Sequence, residues 1–154
     1  MLFRSNYWSF SSRKNGQIIL NNFYESSSGQ IISRDLTKAN FTNCIIYGNN
    51  TNEIELSKSE DQSFDFNYLF SDCLIKVEDT TDSQYNNCIF NPKAIIIDGI
   101  SHDPVFNDQT NQDFKLFNQS TALNHGAIIP GLEQDFLGIS RDNPCDLGPY
   151  EFTE

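Results

Sequence analysis

Three short segments of this chain repeat one local pattern: Asn43-Cys44-Ile45-Ile46-Tyr47, Asp72-Cys73-Leu74-Ile75-Lys76 and Asn87-Cys88-Ile89-Phe90-Asn91. Each places a polar turn former before a cysteine and two apolar residues. Asn and Asp tolerate left-handed backbone angles and bond neighbouring backbone groups, so they suit a sharp corner. The apolar residues that follow suit a short strand facing an interior. Cys44 and Cys88 are 44 residues apart, which equals two repeats of 22, and Asn22-Phe23-Tyr24, 21 positions before Asn43, reads as a fainter copy. A period in this range marks solenoids, whose units bury their apolar faces only against one another. Cys73 interrupts the rhythm, at 29 residues after Cys44 and 15 before Cys88. The polar stretch Ser57 to Ser63 reads as a loop insertion that lengthens the first interval.

Further strands are expected at Gln17–Leu20, Gln30–Ile32, Glu53–Leu56, Tyr68–Phe70 and Ala94–Ile97, and no window carries helical periodicity over ten or more residues. Ser26 to Gly29 and Asp79 to Ser83 read as solvated turns. The apolar fraction is only 38%, with 18 Asn and 16 Ser, whereas 13 Phe and six Tyr supply large buried areas. Such a chain suits many polar corners around a thin, aromatic-rich core. The regular spacing of Ile, Phe and Leu argues against disorder. An ordinary β-sandwich with Asn-rich turns is the competing all-β arrangement.

Twenty-one acidic against ten basic residues give a net charge of −11, which repels phosphate backbones and makes nucleic acid a poor partner. Anionic polysaccharide is disfavoured for the same reason unless a cation bridges it, and neutral glycans are compatible. No stretch approaches the about 20 apolar residues of a membrane span. Met1 to Trp8 lacks the apolar region of a signal peptide. Cys44, Cys73, Cys88 and Cys145 include no Cys-x-x-Cys pair, so zinc is not indicated. Three of them share one local pattern, which favours stacked, buried free thiols over two disulfides.

From Asp103 the rhythm changes. Asp103-Pro104-Val105-Phe106, Asp113-Phe114-Lys115-Leu116 and Ser120 to Gly126 are followed by Asp135-Phe136-Leu137-Gly138-Ile139-Ser140-Arg141 and Asp146-Leu147-Gly148-Pro149-Tyr150-Glu151. This ordered series resembles the closing segment of bacterial right-handed parallel β-helix (pectin-lyase-like) surface and secreted proteins. Thr121, Asn124 and Pro149 depart from that pattern, which usually has Pro, Asp and Ala there. The resemblance covers roughly residues 85 to 152. It implies an all-β, right-handed single-stranded parallel β-helix, with residues 1–102 as coils and 103–154 as a C-terminal capping segment of the same domain. It also implies an extracellular or cell-surface location. A solenoid needs two covered ends, so a longer natural protein with further coils and a secretion signal upstream is expected.

Capping is the expected role of the closing series, because a parallel stack leaves strand edges and an open core at its ends. Phe106, Phe114, Leu116, Phe117, Phe136 and Tyr150 are expected as a lid, with Trp8 and Phe10 as plugs at the other end. Arg141, among Asp135, Asp142, Asp146 and Glu151, is expected to pair with one or two carboxylates. The rival readings are an acid–base carboxylate pair and a calcium site on Asp135, Asp142 and Asp146. His102 and His125 lie in turn contexts with no converging partner. Cys145 sits amid acids that raise its pKa. Lys38, Lys58, Lys76 and Lys93 are too scattered for the calcium-and-base site of a polysaccharide lyase. The sequence therefore designates no catalytic, cofactor-binding or metal-ligating residue. The expected function is a non-catalytic scaffold, adhesin or glycan-contacting module, with Tyr7, Trp8, Tyr24 or Tyr47 available to stack on sugar rings. The alternative is the C-terminal part of a polysaccharide lyase or glycoside hydrolase, and a third is a trimeric phage or toxin stalk.

Overall fold

A computed structural model describes residues 2–3 and 14–153. Among them the regular structure is entirely β-strand, so the expected all-β class holds. The corners build it. Asn43, Asp72 and Asn87 adopt φ of 54°, 50° and 51°, the left-handed region that these side chains tolerate best. Each corner turns the chain out of one parallel sheet into another. Before the corners run β5 (Leu36–Thr42), β8 (Phe66–Ser71) and β10 (Tyr85–Asn86); after them run β6 (Ile45–Ile46), β9 (Leu74–Ile75) and β11 (Ile89–Phe90). The first set pairs in parallel in the order β5-β8-β10, with Phe41, Phe70 and Tyr85 in register. The second set pairs in parallel with β1 (Leu2–Phe3) in the order β1-β6-β9-β11, with Ile45, Leu74 and Ile89 in register.

The register corrects the expected 22-residue period. The chain returns to the same place after 29 residues and again after 15, as Ile45, Leu74 and Ile89 record. The longer circuit contains β7 (Ile54–Ser57), which pairs in parallel with β2 (Ile18–Asn21), and the polar loop after it. That loop is held by its own side chains: Asp61 Oδ1 accepts from Ser63 N and Oγ, at 3.0 and 2.7 Å. The faint copy at Asn22 is not a corner. It leads into an antiparallel hairpin of β3 (Phe23–Glu25) and β4 (Ile31–Ser33). Asn22 is buried, accepting from Ser59 N at 2.6 Å and donating to Asp65 O at 3.1 Å. All five expected strands are present. The last, β12 (Ile95–Ile97), forms a hairpin with β13 (Ile100–His102) through Asp98 and Gly99 at φ 50° and 79°. In the closing segment β14 (Phe106–Asp108) pairs antiparallel with β15 (Asp113–Leu116).

Alternation along the two-residue strands creates two cores on opposite faces of one sheet. Ile46 and Ile75 pack with Cys44, Cys73, Phe70, Val77, Ile18 and Ile54. The Phe41 and Phe70 rings stack there, 4.6 Å apart and 9° from parallel. Ile45 and Leu74 face the other way, onto Val105, Phe106, Leu116, Ala122 and Leu147 of the closing segment. The closing segment thus covers a sheet face laterally, and the expected lid divides. Phe106 and Leu116 are buried and Phe114 packs against them, whereas Phe117 and Tyr150 are half-buried and Phe136 is 79% exposed. Its ring stands edge-on to that of Tyr150, at 6.3 Å. The expected plugs Trp8 and Phe10 lie outside the described residues. All four cysteines are free, as expected, three of them buried and Cys88 half-buried.

Candidate functional site

The charged residues of the closing series converge, and what they bind is backbone. Asp135 Oδ1 accepts from Leu137 N and Ile139 N, both at 2.8 Å, and its Oδ2 accepts from Glu151 N at 2.9 Å. Asp146 accepts from Asn124 N and Phe152 N, both at 2.7 Å, through its two oxygens. Arg141 forms an ion pair with Glu151 at 3.0 Å and donates to the carbonyls of Asp146 and Gly148, at 3.0 and 2.8 Å. Glu151 also accepts from Asp146 N at 3.2 Å. Arg141 therefore pairs with one carboxylate of the four candidates. Asp103 acts alike, accepting from Val105 N and Phe106 N at 2.8 Å each. Ser120 Oγ donates to Val105 O at 2.7 Å.

These contacts set the local electrostatics. Burial raises the Asp135 carboxyl, but the N–H groups of Glu151, Ile139 and Leu137 together with Arg141 outweigh it and hold it below the ordinary Asp range. Glu151 goes the other way. Burial, Asp142 and Asp146 push it up to about 7 despite its contact with Arg141. The oxygens of Asp135 and Asp146 all accept from backbone N–H groups. Among the described residues no group of three or more His, Cys, Asp or Glu side chains is placed to hold a metal ion.

The remaining singled-out residues do not assemble. His102 is half-buried, with its ring 6.5 Å from that of Phe117, and His125 is exposed. Burial raises the Cys145 thiol, a different main cause from the acidic surroundings read in the sequence. Tyr24 is 48% exposed with Arg34 lying 6.0 Å from its ring centre. Tyr47 is half-buried beneath Lys76 Nζ at 5.7 Å, and that ammonium donates to Gly48 O at 2.8 Å. Tyr7 and Trp8 lie outside the described residues.

One further surface groups polar side chains around apolar ones. A shallow groove of about 250 Å³ has Ile54, Leu56 and Val77 as an apolar floor, Tyr85 as an aromatic wall, and Asn52, Glu78, Asp79 and Asp82 around it. Asn52 and Glu78 are locked together, Nδ2 donating to Oε2 at 2.9 Å and Glu78 N donating to Asn52 Oδ1 at 2.7 Å. Asp79 accepts from Thr81 Oγ1 and N, at 2.6 and 2.9 Å, which holds its carboxyl below the ordinary range. Tyr68 donates its hydroxyl to Asp82. Asp79 to Ser83 is the stretch read from sequence as a solvated turn. Only the 15-residue circuit brings it over β7, and the sequence pattern did not fix that pairing. The arrangement offers fixed acceptors, which suits hydrogen bonding to hydroxyls. No family model matches the chain, and searches of curated proteins and of solved structures likewise give no match.

Proposed function

We propose that this chain is a non-catalytic module of a secreted or cell-surface protein, built as a right-handed single-stranded parallel β-helix with a C-terminal cap, and that it contacts neutral glycan. The observation that carries the reading is the engagement of Asp103, Asp135, Asp146 and Arg141 with backbone groups of the closing segment. A side chain that ties down two or three backbone groups organises the fold and is not poised for proton transfer. Two parallel sheets joined by three left-handed corners support the β-helix part. The groove beside Tyr85 supports the glycan part, with hydroxyl acceptors around an apolar floor.

Affinity electrophoresis through gels containing neutral polysaccharides tests the glycan reading. Retardation by at least one polysaccharide is expected. The double substitution E78A/D79A should weaken it about tenfold, equivalent to about 1.4 kcal/mol. Unretarded migration across a wide panel would leave a scaffold without glycan contact.

A further inference from the structure

Cys44, Cys73 and Cys88 occupy one register position on successive parallel strands, each immediately before the paired residues Ile45, Leu74 and Ile89. Their side chains repeat the same contacts. Cys44 Sγ lies 3.3 Å from Thr42 O, Cys73 Sγ 3.2 Å from Ser71 O and Cys88 Sγ 3.5 Å from Asn86 O, in each case the carbonyl two residues back. Cys73 Sγ also reaches Phe41 O on the preceding strand at 3.5 Å, and Cys88 Sγ likewise reaches Phe70 O at 3.4 Å. The three thiols thus form a ladder with Cys73 in the middle. Neighbouring strands stand about 4.8 Å apart, inside the Cα separation of about 4.4–6.8 Å that disulfides span. Cys44 and Cys73 are buried, whereas Cys88, on the last strand of the sheet, is half-buried. Cys145 stands elsewhere, against Ala127 O and Asn43 Nδ2.

We propose that this ladder is a redox modification site, in which Cys88 accepts oxidation from a low-molecular-weight disulfide such as oxidised glutathione and Cys73 resolves it. Cys88 gives its proton to water, and its thiolate attacks one glutathione sulfur. The glutathione S–S bond breaks, a Cys88–glutathione disulfide forms, and one glutathione leaves as thiolate to be protonated. Cys73, deprotonated in turn, attacks Cys88 Sγ and expels the second glutathione. Two protein thiols have then become one disulfide, and one oxidised glutathione has become two thiols. Cys44 stands in the same relation to Cys73 as Cys73 does to Cys88. Its attack on Cys73 Sγ moves the disulfide one rung inward and restores the Cys88 thiol without further oxidant. Because both bonds need Cys73, the ladder holds one disulfide at a time.

The folded protein is incubated with excess oxidised glutathione at pH 8 and quenched in acid. Thiols are then counted in denaturant and linkages mapped by peptide mass spectrometry. Free thiols are expected to fall from four to two per chain, or to one where a Cys88 restored by the inward shift takes a second glutathione, with Cys73–Cys88 or Cys44–Cys73 as the linkage. C73A should stop at a single glutathione adduct on Cys88, while C44A should still form the Cys73–Cys88 bond. Four thiols surviving in the folded wild type, a linkage that includes Cys145, or C88A oxidising as fast as wild type would each overturn the proposal. Should C73A fail to fold, the wild-type map and the C44A and C88A rates decide alone.

Discussion

Arg141 holds three groups of the 146–151 stretch at once, through the carboxylate of Glu151 and the carbonyls of Asp146 and Gly148. A lysine presents one compact ammonium in place of a planar fork and cannot serve all three. Removing the guanidinium altogether strands the buried Glu151 carboxylate, so Arg141→Ala should lower unfolding stability by about 3 kcal/mol in urea titrations. The pH dependence has a definite sign. Burial with Asp142 and Asp146 raises Glu151 from 4.5 to about 7 in the folded chain, so folding favours its protonated form. That contribution is fully present below about 4.5 and is lost as pH rises through about 7. The urea midpoint should therefore decline between pH 5 and 8, and Glu151→Gln should flatten the decline. Asp135 contributes oppositely. Its lowered carboxyl adds stability above the ordinary Asp value of 3.8 that disappears on acidification below it. An unchanged slope in Glu151→Gln would show that burial does not govern this carboxyl.

Corners that look alike in sequence differ in what their side chains do. Asn87 donates to Asp72 Oδ1 at an exposed position, whereas Asn43 is buried and joins the sheet to the closing segment. Its Nδ2 donates to Ala127 O at 2.7 Å and its Oδ1 accepts from Ala127 N at 2.9 Å. Glycine preserves the left-handed angle at either site. Asn87→Gly should thus change stability by less than about 1 kcal/mol, while Asn43→Gly should cost about 2 kcal/mol through two lost part-buried hydrogen bonds. Equal losses in thermal or urea unfolding would contradict that division of roles. Gly148 has both constraints at one position, with φ of 86° and Ile45 Cδ1 only 2.7 Å from where a Cβ would stand. Gly148→Ala should cost at least the about 1–2 kcal/mol of an alanine held left-handed, measurable as a lowered urea midpoint. The corners, the five strands and the stacked thiols were legible because Asn-Cys-apolar triplets and β-branched runs act locally. The 15-residue circuit was not, since its closure depends on the register of Tyr85 beneath Phe70, a contact between strands. The closing series was legible as structural, but its direction of packing was not. Phe136 and Phe106 look equivalent in sequence, and only the placement of Leu147 and Val105 on Ile45 and Leu74 makes one exposed and the other buried.

At the scale of the molecule, the two cores share one sheet. Ile46 and Ile75 belong to one core and Ile45 and Leu74 to the other, on adjacent residues of the same two-residue strands. Peeling away residues 103–152 would expose the fully buried Ile45 and Leu74 to water, each worth roughly 1.5–3 kcal/mol of burial. It would also break the Asn43 links to Ala127 and the bond from Gly148 N to Asn43 O at 3.0 Å. Strands of two residues cannot hold themselves together against such a loss, because a few ladder bonds cannot offset the entropy of ordering their backbone. The closing segment and the corner-built sheets should therefore unfold as one unit. Far-UV circular dichroism, reporting the sheets, and tyrosine fluorescence, to which Tyr85 of one core and Tyr47 of the other contribute, should give coincident urea transitions. Leu147→Ala removes a fully buried side chain from the closing segment alone. It should lower both transitions together, by about 3 kcal/mol. If the fluorescence transition moved while the dichroism transition stayed, the closing segment would be a separately folding appendage and the shared sheet would not couple the cores.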